Sequence, residues 1–367
     1  MLKHSIFYKT FIVLALLVGM YSCEMDDAEP DLQQHSFSRL YVSFEDYVSS
    51  DVGASVSNVR IIYPADSSEF TISVNHISNA KGGGPIIFDP FLKWVFQGSA
   101  NRDGVGDTAV YAMAVGNTGA LTNSSRLGNK RFARVTGLAY AGKSQVLFVA
   151  NAGGIERGVQ QDTAVYVLER PRQKSGYART EKKLIARGMP FYGLAYASNT
   201  LYLSKTGANG GIYVVENIFN IPVNANDSTG TLSPTRTITI EGTNNVRGIC
   251  YDTTKNILAV TDYPAGTVAV GQGRILLFEN FSSLATQTSI TPTRIITGTN
   301  TGLQQPVDVA LDRRATGQYL YVADRATRKV LRFKISDEGN IAPDKSLTTD
   351  AMPVGLALDS RDDSTLD

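Results

Sequence analysis

The sequence predicts an all-β protein, a six-bladed β-propeller, on three observations. A short strand-like motif opening on Gly or Pro recurs at near-constant spacing, and each recurrence but the last is followed by further strand-like segments in the same order. The two ends of the chain hold complementary fragments of one unit. Composition agrees: 33 glycines and 32 Tyr and Phe residues against one Trp suit a chain of many strands and turns. Hydrophobic content of 43% excludes a disordered chain, and no Gly-X-Y period exists.

The opening strands are PIIFD at Pro85, GLAYA at Gly137, GLAYA at Gly193, GICYD at Gly248, DVALD at Asp308 and GLALD at Gly355, with spacings of 52, 56, 55, 60 and 47. Second strands follow at Trp94, Leu147, Leu201, Leu258 and Leu320, and third strands at Ala109, Ala164, Gly211, Arg274 and Lys329. A fourth shows as RTITI from Arg236 and RIITG from Arg294, each preceded by Pro-Thr. Four short strands per unit, with Gly, Asn and Asp between them, form a propeller blade. No unit carries a 3.6-residue apolar period, which disfavours helical repeats.

The ends set the blade count. The N-terminal unit has a second strand, RLYVS from Arg39, and a third, NVRII from Asn58, but no opener. The C-terminal unit has only an opener, GLALD from Gly355. Joined, they complete a sixth blade and remove the exposed edges of an open ring. The propeller is therefore expected over 39–367.

The run QPVDVALD…GQYLYVAD…RKVLRF, from Gln305 to Phe333, resembles an NHL-type repeat, and the match is strongest in blade 6. YWTD and gluconolactonase-type propellers share this outline, so the resemblance implies the fold far more than a function.

The second-to-third-strand loops are long in five blades, spanning 44–57, 98–107, 151–163, 205–210 and 262–273, and short only at 324–328. In a propeller these loops share one face with the fourth-to-first connections, and long loops tend to carry function. Residues at the ends of the second strands (Asn151, Lys205, Asp262 and Asp324) and just ahead of or within the inner strands (Arg134, Tyr192, Arg247 and Asp308) are the candidate binding face. Mixed charge with an aromatic ring suits a protein or carbohydrate partner. For Asp262 and Asp324 the alternative is bonding to the backbone of their own turns.

Gly137–Ser144 satisfies the phosphate-loop pattern G-x-x-x-x-G-K-[ST]. Such a loop needs a helix after it. Here the residues are a propeller strand and its turn, so no nucleotide is expected. Of three histidines, His4 and His35 precede the fold and only His76 remains, so a Ser-His-Asp triad has little to draw on and no catalytic residue is assigned. Zinc of the His or Cys type lacks ligands, and no cofactor is expected. A divalent cation held by channel carboxylates such as Asp308 and Asp324 is the hydrolase alternative, as the gluconolactonase-like outline implies. A purely structural propeller is a third. Cys250, within an inner strand, is expected to be buried and inert.

Residues 1–22 carry Lys3 and Lys9 ahead of the apolar run Phe11–Met20, which suits a secretory signal rather than a membrane span. The run ends in Tyr21-Ser22-Cys23, which resembles a lipobox with Cys23 as the lipid attachment (diacylglycerol and palmitate); an ordinary signal peptide is the alternative. Residues 23–38 open with five acids in EMDDAEPD and read as a flexible acidic tether. Its likeness to the export signal of Gram-negative surface lipoproteins leaves two addresses open, the outer leaflet or the periplasm. Without residues 1–22 the chain keeps 33 basic against 34 acidic residues, which gives no electrostatic case for nucleic acid.

Overall fold

The computed structural model describes residues 37–46, 56–101 and 106–361. The expected signal segment (1–22), Cys23 and nearly all of the expected tether lie outside them, as do 47–55 and 102–105 of the first two long loops. Six sheets form the six blades of a β-propeller. The first strand begins at Phe37, two residues ahead of the expected boundary.

From the inner strand outwards, blade 1 comprises Pro353–Arg361, Phe37–Phe44, Val59–Ile62 and Ile72–His76. Blade 2 runs Gly83–Asp89, Trp94–Ser99, Val110–Val115 and Leu121–Gly128. Blade 3 runs Arg134–Ala141, Val146–Ala152, Ala164–Glu169 and Lys182–Ile185. Blade 4 runs Phe191–Ala197, Thr200–Lys205, Gly211–Glu216 and Arg236–Thr239. Blade 5 runs Ile249–Asp252, Ile257–Asp262, Arg274–Glu279 and Arg294–Thr297. Blade 6 runs Pro306–Leu311, Tyr319–Asp324, Lys329–Lys334 and Lys345–Thr348.

The ring closes as the complementary ends require. The last strand pairs antiparallel with the first, Leu40 opposite Leu358 and Val42 opposite Leu356. Each large apolar cluster lies between two neighbouring blades rather than within one. Phe148 and Leu203 join blades 3 and 4, Leu258 and Ile212 join blades 5 and 4, and Val42 and Ala323 join blades 1 and 6. A blade cannot bury its faces alone, so stability depends on the closed ring. Arg332 adds a polar tie across the closure. It is 2% exposed, pairs with Asp344 and donates to the carbonyls of Ala65 at 2.7 Å and Ser67 at 2.8 Å in blade 1.

Two devices were not legible in the repeat. Third-to-fourth connections lap onto the preceding blade: Gly176–Tyr177 pairs parallel with blade 2, and Thr229–Thr231 with blade 3. Single parallel bridges repeat this at Thr239 with Ser289 and at Ile296 with Gly339. These contacts cover outer edges that would otherwise present unpaired N–H and C=O groups. The second device is a left-handed residue in the first hairpin, at Gln145, Asn199 and Asn256. Their carbonyls accept from the amides of Arg170, Ile218 and Phe281 at 2.8, 3.2 and 3.1 Å, fixing where each third strand ends.

Candidate functional site

The six inner strands surround a channel whose cavity measures about 620 Å3. In blades 1, 2, 3, 4 and 6 the ladder between first and second strand slips at the same place, near the start of the inner strand. Such a bulge inserts an extra residue and re-aims its side chain. The residues at this level are Thr136, Tyr192, Arg247, Val307 and Val354, and they line one end of the cavity. From there it extends to the turns joining first and second strands, where Phe91, Lys143 and Arg313 stand.

One step along each strand the chain is mostly glycine, because the strands converge. A Cβ on Gly137 would lie 2.7 Å from the Tyr192 carbonyl oxygen, and one on Gly248 would lie 2.5 Å from Asp308 Cα. Blade 6 carries Asp308 at this position instead. Its carboxylate accepts from the amide of Leu356 on the next inner strand at 2.8 Å and from that of Val309 at 2.9 Å. Burial pushes its pKa up to about 7, against which the two amides pull down. Beyond the glycines the wall is Ala139, Ala195, Cys250, Ala310 and Ala357, small side chains that leave the channel open, with the larger Ile87 in blade 2. Cys250 is half-buried on this wall; burial raises its thiol pKa, so it stays the neutral form of a poor nucleophile.

Arg247 lies with its guanidinium 4.4 Å from the centroid of Tyr192 and 6.0 Å from that of Tyr263. Its backbone is fixed on both sides: its amide donates to Thr261 O at 3.0 Å, and its carbonyl accepts from Ser204 Oγ at 2.7 Å. Burial raises the Tyr192 pKa, partly offset by Arg247 and Arg134. Nearby, Arg325 donates to Glu45 at 2.5 Å. Tyr263, Arg325 and Glu45 lie near Tyr192 and Arg247 but outside the cavity lining; none was singled out in the sequence, although Tyr263 and Arg325 directly follow Asp262 and Asp324, which were.

The structure thus brings Tyr192, Arg247 and Asp308 to the channel lining, whereas Arg134 is exposed and is not among the lining residues. It places the second-strand residues elsewhere. Asn151 is fully buried; it accepts from the amides of Ala133 and Arg134 at 2.8 and 3.1 Å and donates to Asp162 O at 2.9 Å. Asp262, also buried, accepts from the amides of Asn244 and Asn245 at 2.9 and 2.7 Å and pairs with Arg274. Asp324 accepts from Gln304 N at 2.6 Å and from Thr327 N and Oγ1 at 3.0 and 2.9 Å. These three clamp the chain that leads into their own inner strands. Lys205 donates to Asn209 O in its own loop at 2.7 Å. His76 sits on the outer strand of blade 1, 2.9 Å from Asn123 Oδ1.

On the long-loop face, the blade 3 loop folds into a hairpin of Gly154–Glu156 with Val159–Gln161. Ile155 is 75% and Val159 58% exposed there, and Val270 in the blade 5 loop is 47% exposed. Gly137–Ala141 is strand, and Val146–Ala152 continues as strand after the turn, so no helix N-terminus follows the phosphate-loop pattern. Among the described residues no three His, Cys, Asp or Glu side chains gather as a metal site.

Fold and channel define a six-bladed propeller with a polar mouth. No family model matches the chain, and no curated protein matches it. Many solved structures share the fold, among them the following two. A chain in the crystal structure of a nidogen/laminin complex is 15% identical with a TM-score of 0.52, covering 88% of this chain and 97% of that one. A Bacteroides fragilis protein described as a candidate 6-phosphogluconolactonase is 13% identical with a TM-score of 0.52, covering 89% and 99%.

Proposed function

We propose that this chain is a binding module of the cell envelope, held to the outer membrane by a lipid on Cys23, that docks a protein partner on its long-loop face. The observation that carries this reading is the hairpin of the blade 3 loop with Ile155 and Val159 in solvent, on the face that also carries the exposed Val270 of the blade 5 loop. A soluble chain gains nothing from large apolar side chains on loops of one face unless something covers them. The fold it shares with a chain from a nidogen/laminin complex supports a protein partner over a carbohydrate. The acidic tether after Cys23 supports display away from the membrane surface.

The test is crosslinking on intact cells expressing the wild type or Ile155→Ser/Val159→Ser. A partner crosslinked by the wild type and lost in the double variant, with melting unchanged, is the expected result. The same crosslinked species at the same yield in both would refute the docking face. Replacement of Cys23 by Ser should release the chain from the membrane fraction; retention there would refute the anchor.

A further inference from the structure

We infer that the central channel is a binding site for a small organic anion, seated with its charged end on Arg247 and reached from the face where first and second strands turn. This site lies inside the ring and does not depend on the docking face proposed above.

Three observations converge. The cavity of about 620 Å3 has room for a small organic molecule, and its wall of alanines keeps that space unfilled. Its charged lining is one-sided: Lys143 and Arg313 at one end and Arg247 at the other, against the single carboxylate of Asp308. That carboxylate is already engaged by two backbone amides. The third is the state of Arg247. Its guanidinium makes no side-chain hydrogen bond or ion pair with any described residue, and Nε is buried without an acceptor. No hydrogen bond or ion pair to a described residue is made by its two terminal nitrogens, and of its nitrogens only Nε is both buried and unpartnered. A half-buried guanidinium stacked on Tyr192, with its terminal N–H groups free, is preorganised for bidentate contact with an oxyanion. Elsewhere the chain pairs its buried arginines: Arg314 with Asp312 and Asp66, and Arg332 with Asp344.

Carboxylates and phosphate esters share this chemistry, so the experiment separates them. Titration calorimetry of the detergent-purified full chain at low ionic strength would use inorganic phosphate, citrate and, as a neutral control, glucose. Saturable binding of phosphate, citrate or both is expected, with none for glucose; the stronger of the two anions names the ligand's charged group. Arg247→Gln should weaken that binding at least tenfold, Arg247→Lys less, and Arg313→Gln severalfold. Ile155→Ser/Val159→Ser should leave it unchanged, so loss of the docking face and loss of the anion site are read separately. Arg313→Gln alters an exposed side chain and serves as the readout if Arg247→Gln does not fold. Absence of saturable binding by either anion, or equal binding by wild type and Arg247→Gln, would overturn the inference.

Discussion

Asp308 offers the sharpest test of the channel's physical chemistry. Its carboxyl sits where four of the other five blades have glycine, and burial lifts its pKa from 3.8 to about 7. A raised pKa means that the folded chain prefers the protonated acid. The stability this contributes is complete below pH 3.8 and is lost as pH rises through 7. Each pKa unit corresponds to about 1.4 kcal/mol, so a rise of this size has a ceiling of about 4 kcal/mol. Asp308 is half-buried and faces a channel that water can reach, which cuts the effect to about 1–2 kcal/mol. Asn at this position keeps the shape and can still accept from Leu356 but never ionises. Urea unfolding of wild type and Asp308→Asn at pH 4.5 and pH 8 isolates the group, because other titrations are common to both. The variant should gain about 1–2 kcal/mol on the wild type between the two pH values. A difference that stays flat with pH would refute the argument that the channel wall penalises the carboxylate.

Other perturbations test the ring itself. Gly248→Ala drives a methyl into Asp308 Cα and should cost about 1–3 kcal/mol by chemical denaturation, with no pH dependence of its own. Arg332→Ala leaves Asp344 and two carbonyls without their donor at the seam between blades 6 and 1, and should cost about 3 kcal/mol in the same assay. Ending the chain after Asp350 removes the inner strand of blade 1 and should abolish cooperative melting rather than lower it by a few degrees. Calcium, magnesium, manganese or zinc should leave the melting temperature unchanged, whereas a bound ion at about 100 times its dissociation constant would add about 2.7 kcal/mol.

What could be read from the sequence followed from what a repeat repeats. The openers at Pro85 to Gly355 and the second strands after them recur because every blade needs them, and the chain ends could be matched for the same reason. The outer-edge pairings of Gly176–Tyr177 and Thr229–Thr231 were invisible, because two or three residues bridged in parallel leave no hydrophobic period. Tyr192, Arg247 and Asp308, which line the channel, stood out by their place ahead of or at the inner-strand opener, whereas Arg134, three residues ahead of its opener, is exposed outside that lining. Asn151, Asp262 and Asp324 shared a position and a polarity with binding residues. Backbone bonding was the open alternative for Asp262 and Asp324, and Asp324 does bond its own turn at Thr327, but the bonds of all three to the incoming loop depend on how that loop packs, which sequence spacing does not encode.

The repeat carries a finer lesson when its own copies are compared position by position. At the inner-strand opener four blades have glycine, two residues on four have alanine, and two further on four have aspartate. Those positions serve the ring: convergence, an open channel, and a carboxylate that folds the following turn, as Asp89 and Asp252 do by accepting from amides two and three residues ahead. The residue just before the opener obeys no such rule, reading Gly84, Thr136, Tyr192, Arg247, Val307 and Val354. It is also the level at which five of the six ladders slip, so its side chain is released from the alternation that governs the strand. In blade 5, where the ladder starts only at Ile249, Arg247 and Gly248 both bond Thr261, so this position too departs from the alternation and can carry individual chemistry. In this chain that position holds a guanidinium stacked on a tyrosine, with its terminal N–H groups unspent. The fold supplies no reason for that pair, and the ligand it can hold does.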